Sequence, residues 1–110
     1  MTATISEREG RVLVNLLGDI DLEHSGDIRQ ILLDCVGRGA DVLVDMSQVL
    51  YIDSSGIACL IEALQSSRER GSGFGLVSVS EQAGRVLKLA RLDKVFEIHD
   101  DMGAAFTGAA

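Results

Sequence analysis

Short runs of Val, Ile and Leu alternate with stretches of helical periodicity along the chain, and no proline interrupts them. Ile5 marks a short edge strand, and Arg11–Leu17 (RVLVNLL) reads as a strand that stops at Gly18. Ser25–Arg38 places Ile28, Ile31, Leu32, Cys35 and Val36 at three- and four-residue spacing, the period of an amphipathic helix. Gly37 and Gly39 suit its end. Asp41–Met46 (DVLVDM) reads as a covered central strand, with residues 47–53 as the connection after it. Ser54 or Ser55 opens a second helix reaching about Arg70, with Ile57, Leu60, Ile61 and Leu64 on one face. Gly71-Ser72-Gly73 ends it, and Phe74–Val79 is the next strand. Ser80 caps a third helix over Glu81–Ala90, Val95–Ile98 is the last strand, and Asp100 or Asp101 caps a short final helix.

Strands separated by helices with short connections require parallel crossovers within one sheet. The first strand adds an antiparallel edge. The expected fold is therefore α/β: a single domain over residues 1–110, with a mixed, mostly parallel β-sheet and crossover α-helices. The tail Gly103–Ala110 is expected to fray.

Charge narrows the partners. Ten basic residues face seventeen acidic ones, for a net charge of −7. Nucleic acid and anionic membrane call for a Lys/Arg excess, so neither is an expected partner. The longest uncharged run, Gly71–Ser80, is ten residues, against the roughly 18–20 that span a bilayer. The opening MTATISEREG lacks a basic-then-apolar targeting pattern, so a cytoplasmic address is expected. Cys35 and Cys59 both fall in apolar helical patterns, with no C-x-x-C pair and both histidines remote in sequence. They read as small hydrophobes, and no metal or cofactor is expected.

The informative segment is Tyr51-Ile52-Asp53-Ser54-Ser55-Gly56-Ile57, where a connection enters the second helix. A helix start offers unbonded N–H groups and a partial positive charge, so it stabilises a phosphate. Ser54 is placed to carry one, and Gly56 lets another backbone approach closely. The plainer reading has Asp53 or Ser54 simply capping the helix. A second acidic stretch, Gly18-Asp19-Ile20-Asp21-Leu22-Glu23, follows a strand. If that strand lies parallel to 41–46, Asp19 and Asp21 form an acidic rim beside Asp53 and Ser54; otherwise they are solvated loop acids. Ile57 reads equally as a core residue or a partner contact.

Four segments in register resemble a STAS domain, and most closely the bacterial anti-sigma factor antagonists. They are Gly18-Asp19-Ile20-Asp21, Val42-Leu43-Val44-Asp45-Met46-Ser47, Ile52-Asp53-Ser54-Ser55-Gly56-Ile57 and the stretch from Val86 to Ile98. The resemblance implies a non-enzymatic phospho-switch. The unphosphorylated protein binds a serine kinase that doubles as an anti-sigma factor, and this frees the sigma factor. Phosphorylation of the first hydroxyl after the motif aspartate, Ser54, releases the kinase, and a metal-dependent serine phosphatase of the PP2C type restores the bare form. Asp19, Asp21, Asp53, Ser55 and Gly56 form the surroundings, and Ile57 is a candidate partner contact. Two departures bear on the partner: Glu81 replaces a common proline, and Cys59 and Glu62 differ on what reads as the exposed side of the second helix.

Other readings of the same residues remain. STAS subunits of lipid-transport ABC systems grip a cytoplasmic ATPase with a similar motif. A hydrolase would use Ser54 with His24 as base, but Gly-x-Ser-x-Gly is absent. A phosphate-accepting receiver domain would use Asp53, but it needs a lysine beyond the last strands. Lys94 instead precedes strand 95–98.

Overall fold

The computed structural model describes residues 3–107. Strand β1 (Ala3–Arg8) turns at Glu9–Gly10 into β2 (Arg11–Ile20). Helix α1 (Leu22–Val36), strand β3 (Val42–Ile52), helix α2 (Ser54–Arg70), strand β4 (Phe74–Val77), helix α3 (Glu81–Leu89), strand β5 (Glu97–His99) and helix α4 (Met102–Thr107) follow. The five strands lie side by side in chain order, β1 antiparallel to β2 and the others parallel. This is the mixed, mostly parallel sheet expected.

That order places the helices. Right-handed crossovers that step the same way each time lay their helices on the same face. Accordingly Ile28 and Leu32 of α1, Leu60 and Ala63 of α2, and Ala83 and Leu87 of α3 all join one core with Val12, Val14 and Leu16 of β2. In β2 those three alternate with less buried neighbours, so one face of the strand is covered more fully than the other. In β3, Val42, Leu43 and Val44 are consecutively buried because both faces are covered there. Leu43 faces a smaller cluster with Val77 and Ala105, against which Leu13, Met102 and Phe106 of the sheet and α4 pack.

Several boundaries differ from the sequence reading. Strand β2 does not stop at Gly18 but runs to Ile20, and β3 extends through most of the expected connection to Ile52. Each extension gives the other a hydrogen-bonding partner, through register shifts between Asn15 and Leu17 and between Gly18 and Asp19. Helix α1 begins at Leu22 rather than Ser25 because Asp21 caps it. Strand β4 ends at Val77, where Ser78 adopts a positive φ of 52°. The last strand starts at Glu97, and Phe96 is instead a buried plug with its ring 6.4 Å from that of Phe74. Of the tail expected to fray, residues 103–107 continue α4, and residues 108–110 lie outside the described part.

Candidate functional site

Ile20 and Ile52 are register partners, so β2 and β3 finish side by side. Helices α1 and α2 therefore also start side by side, each capped by the aspartate that follows its strand. The Asp53 N–H donates to the Ile20 carbonyl at 3.4 Å, closing the sheet at this end. Asp19 pairs with Tyr51 one step earlier. The parallel arrangement thus brings Asp19 and Asp21 to the strand end that carries Asp53 and Ser54, as expected.

Asp53 performs the capping. Its Oδ1 accepts from the Ser55 N–H at 2.9 Å, the Gly56 N–H at 3.2 Å and the Ser55 hydroxyl at 2.5 Å. The Ser55 hydroxyl, foremost, and the backbone N–H groups of Gly56, Ser55 and Leu22 hold its carboxyl below the ordinary carboxylate range, against a smaller opposing effect of burial. Of the two open readings, capping belongs to Asp53 and the hydroxyl network to Ser55. Ser54 is the first residue of α2, is exposed, and has no hydrogen bond to its hydroxyl among the described residues. A helix start with its cap already filled and one hydroxyl left over can accept a modifying group without dismantling the cap.

Gly56 is held by contact. A Cβ there would stand 2.5 Å from the Ile20 carbonyl oxygen and 2.7 Å from the Ile52 side chain. The absent side chain is what lets α2 sit against the ends of β2 and β3. Ile57, read as either core or partner contact, is core: its side chain is 6% exposed and packs in the main cluster. The exposed residues of this turn are Ser54 and Ala58. Cys59 is likewise buried, its thiol directed at the Ser25 carbonyl, so it does not mark the exposed side of α2. Burial raises its pKa, as it does that of Cys35. Glu62 is on the surface, in a bidentate pair with Arg29 of α1 at 2.7 Å for each contact.

Asp21 repeats the capping on α1. It accepts from the His24 N–H at 3.2 Å and meets the His24 ring Nδ1 at 2.8 Å. That hydrogen bond is the largest cause of a raised His24 pKa; the charges of Asp21, Glu23 and Asp19 add to it and burial opposes it. Ligand atoms of Asp21, Glu23 and His24 lie within 4.8 Å of one another. The cap and ring bonds already account for the Asp21–His24 part of this cluster, so the geometry assigns no metal. His24 is engaged with Asp21 and makes no hydrogen bond to Ser54, so it is not set as a base for a Ser54 nucleophile. Lys94 is exposed in the turn before β5, away from Asp53, which leaves the receiver reading without its cation.

Three exposed apolar residues frame the site and were not singled out from sequence. Leu22 is 77% exposed, Leu50 74% and Tyr51 45%. Leu50 falls where the register skips from Gly18↔Val49 to Asp19↔Tyr51, and a bulge re-aims side chains. The run Val49–Ile52 therefore breaks strict alternation. The signal available in the sequence was closeness to Asp21 for Leu22 and to Asp53 for Leu50 and Tyr51.

The fold and this capped, acid-flanked helix start define a small α/β domain that presents its site at the paired ends of β2 and β3. The STAS domain family model matches residues 2–105, and the chain belongs to that family. It is 24% identical over 94 residues to the anti-sigma-B factor antagonist of Bacillus subtilis (strain 168), covering 86% of each chain. It is 26% identical over 109 residues to the anti-sigma-F factor antagonist RsfB of Mycobacterium tuberculosis, covering 98% of this chain and 88% of the other. A crystal structure of an anti-sigma factor antagonist from Mycobacterium paratuberculosis superposes with a TM-score of 0.87 at 25% identity, covering 97% and 92% of the two chains. These relatives place the chain with non-enzymatic regulators. Among the described residues, no helix is long and apolar enough to cross a membrane.

Proposed function

We propose that the protein is an anti-sigma factor antagonist that switches partners through phosphorylation of Ser54. The unphosphorylated form binds a cytoplasmic serine kinase that also acts as the anti-sigma factor; a PP2C-type serine phosphatase resets the modified form. The observation that carries this reading is the division of labour at the start of α2. Asp53 and Ser55 complete the cap, and the Ser54 hydroxyl stays exposed, with no hydrogen bond among the described residues.

Phosphorylation adds about −1.5 to −2 charges and three acceptor oxygens. The helix start attracts that charge by roughly 0.3–1 kcal/mol, so the domain tolerates it. Asp19, Asp21, Glu23 and Asp53 make the same surface strongly acidic once the phosphate is added. A partner that docks on exposed Leu22, Leu50 and Tyr51 must desolvate the modified hydroxyl beside them. The block is thus local, electrostatic and steric, and the fold is unchanged.

The test is binding by variants. Ser54→Ala binds the kinase persistently, and Ser54→Asp binds at least about tenfold more weakly, a difference of about 1.4 kcal/mol. A pull-down from cell extract with phosphosite mapping of bound and unbound pools finds phosphate on Ser54 only in the unbound pool. Equal binding by the two variants defeats the switch.

A further inference from the structure

In each bridged pair of a parallel ladder one residue bonds across with its own N–H and C=O, while the other points both groups away from the partner strand and leaves the bonds to its neighbours. Ile52 is of the second kind, the last of β3 and the partner of Ile20. Asp53 bonds back to Ile20, so the Ile52 N–H and C=O face the side on which β4 would lie. But β4 pairs with β3 only over Val42–Asp45 and ends at Val77. Ile52 is 1% exposed, so these two backbone groups need a protein partner.

Gln82, in the first turn of α3, supplies it. Its Oε1 accepts from the Ile52 N–H at 2.9 Å, and its Nε2 donates to the Ile52 C=O at 3.5 Å. One side-chain amide stands where a strand would otherwise pair. The contact is anchored on both sides. Ser80 caps α3 by accepting from the Ala83 N–H, and buried Ala83 and Leu87 fix the helix against the main core. From Ile52 the chain passes at once into Asp53 and Ser54, while Ile20 and Gly56 hold the opposite side.

We propose that Gln82 is a positioning residue for the phosphoacceptor. It fixes the exit of β3 from the side that β4 leaves open, and so sets how Ser54 is presented at the first turn of α2. The proposal rests on the reading of Ser54 as the switch. It also makes α3 the element through which a contact on the far side of β3 reaches Ser54.

The experiment compares Gln82→Leu, which loses both bonds at similar size, with Gln82→Glu, which keeps the acceptor for the Ile52 N–H. Two readouts are taken on the full chain: amide hydrogen exchange by NMR, and phosphate incorporation at Ser54 by mass spectrometry in ATP-supplied extract of the source cells, with Ser54→Ala as blank. Gln82→Leu speeds exchange of the Ile52, Ser55 and Gly56 amides by about tenfold, the scale of one lost buried hydrogen bond. Val14 and Leu32 keep wild-type exchange, Ser54 phosphorylation falls several-fold, and Gln82→Glu, which keeps only the acceptor, shows a smaller change in both. A uniform rise across the chain shows a merely structural role and overturns the proposal. So does local loosening with phosphorylation unchanged, and so does exchange at 52–56 that stays at the wild-type rate. A wild-type chain that takes no phosphate at Ser54 overturns the switch reading instead, and the exchange pattern still decides whether Gln82 holds the turn.

Discussion

Where β2 and β3 finish, the parts are joined by main-chain groups: the Asp53 N–H on the Ile20 carbonyl, two aspartate caps, and a glycine too crowded for a Cβ. On the second face of the sheet, α4 is joined by side chains. Arg8 and Arg11 are direct cross-strand partners, an arrangement of like charges that is unfavourable by itself. Both guanidinium groups lie over the Phe106 ring, at 4.4 and 4.8 Å, and Arg11 Nη1 donates to the Ala105 carbonyl at 3.1 Å. Neither arginine has a carboxylate partner among the described residues. The difference is one between a strand end fixed by main-chain geometry and a cover whose hold is spread over flexible side chains. It also shows why the acids and the free hydroxyl collect at one end: two parallel strands of matched length deliver two helix starts to the same place.

The largest effect is expected at the main-chain end. Gly56→Ala forces a Cβ against the Ile20 carbonyl, which cannot swing aside as a side-chain tip can. Overpacking of this kind costs about 2–3 kcal/mol, read as a lower urea midpoint with an unchanged slope. A loss under about 0.5 kcal/mol, the ordinary level for a surface change, shows that the strand ends have slack and that the contrast is wrong. Phe106→Ala is expected to do less. Two cation–π contacts at roughly 0.5–1 kcal/mol each give a loss of about 1–2 kcal/mol. Amide exchange in α4 should rise while the Ser55 and Gly56 amides stay protected. Loosening at Ser55 in this variant, or in α4 of Gly56→Ala, joins the two regions into one unit.

Much of this plan is legible in the sequence, because periodicity and turn residues report on local order. The helix 54–70 follows from Asp53, the spacing of Leu60 and Leu64, and the glycines after Arg70, and it forms as read. The acidic stretch at the end of β2 meets Asp53 because parallel pairing was already implied by the alternation of elements. What escaped was set by contacts distant in sequence. Gly18 has the look of a stop, yet it lies within the bulged part of β2 beside β3. Residues 47–52 look like a loop because two register shifts spoil their alternation and leave Leu50 and Tyr51 outside. Cys59 fits both an apolar helical pattern and the exposed side of α2 in the sequence; it is buried, facing the start of α1 through the Ser25 carbonyl. Gln82 carries no local signal, since its role exists only because β4 stops short of Ile52.

The smallest effect, and the one that sharpens the contrast most, is the response to pH. Asp53 has its pKa lowered from 3.8, chiefly by the Ser55 hydroxyl. Its contribution to stability is present above 3.8 and is lost as pH falls through the lowered value. His24 has its pKa raised from 6.5, chiefly by Asp21. Its contribution is present below 6.5 and is lost as pH rises through the raised value. The capped end is therefore best held between these limits. An NMR titration of His24 should give a midpoint above 6.5 in the wild type, and Asp21→Asn should bring it down toward 6.5. The Phe106 ring resonances should stay flat over the same window. A His24 midpoint unmoved by Asp21→Asn removes the aspartate cap as its cause, and Phe106 resonances that track the His24 titration tie the second face to the site.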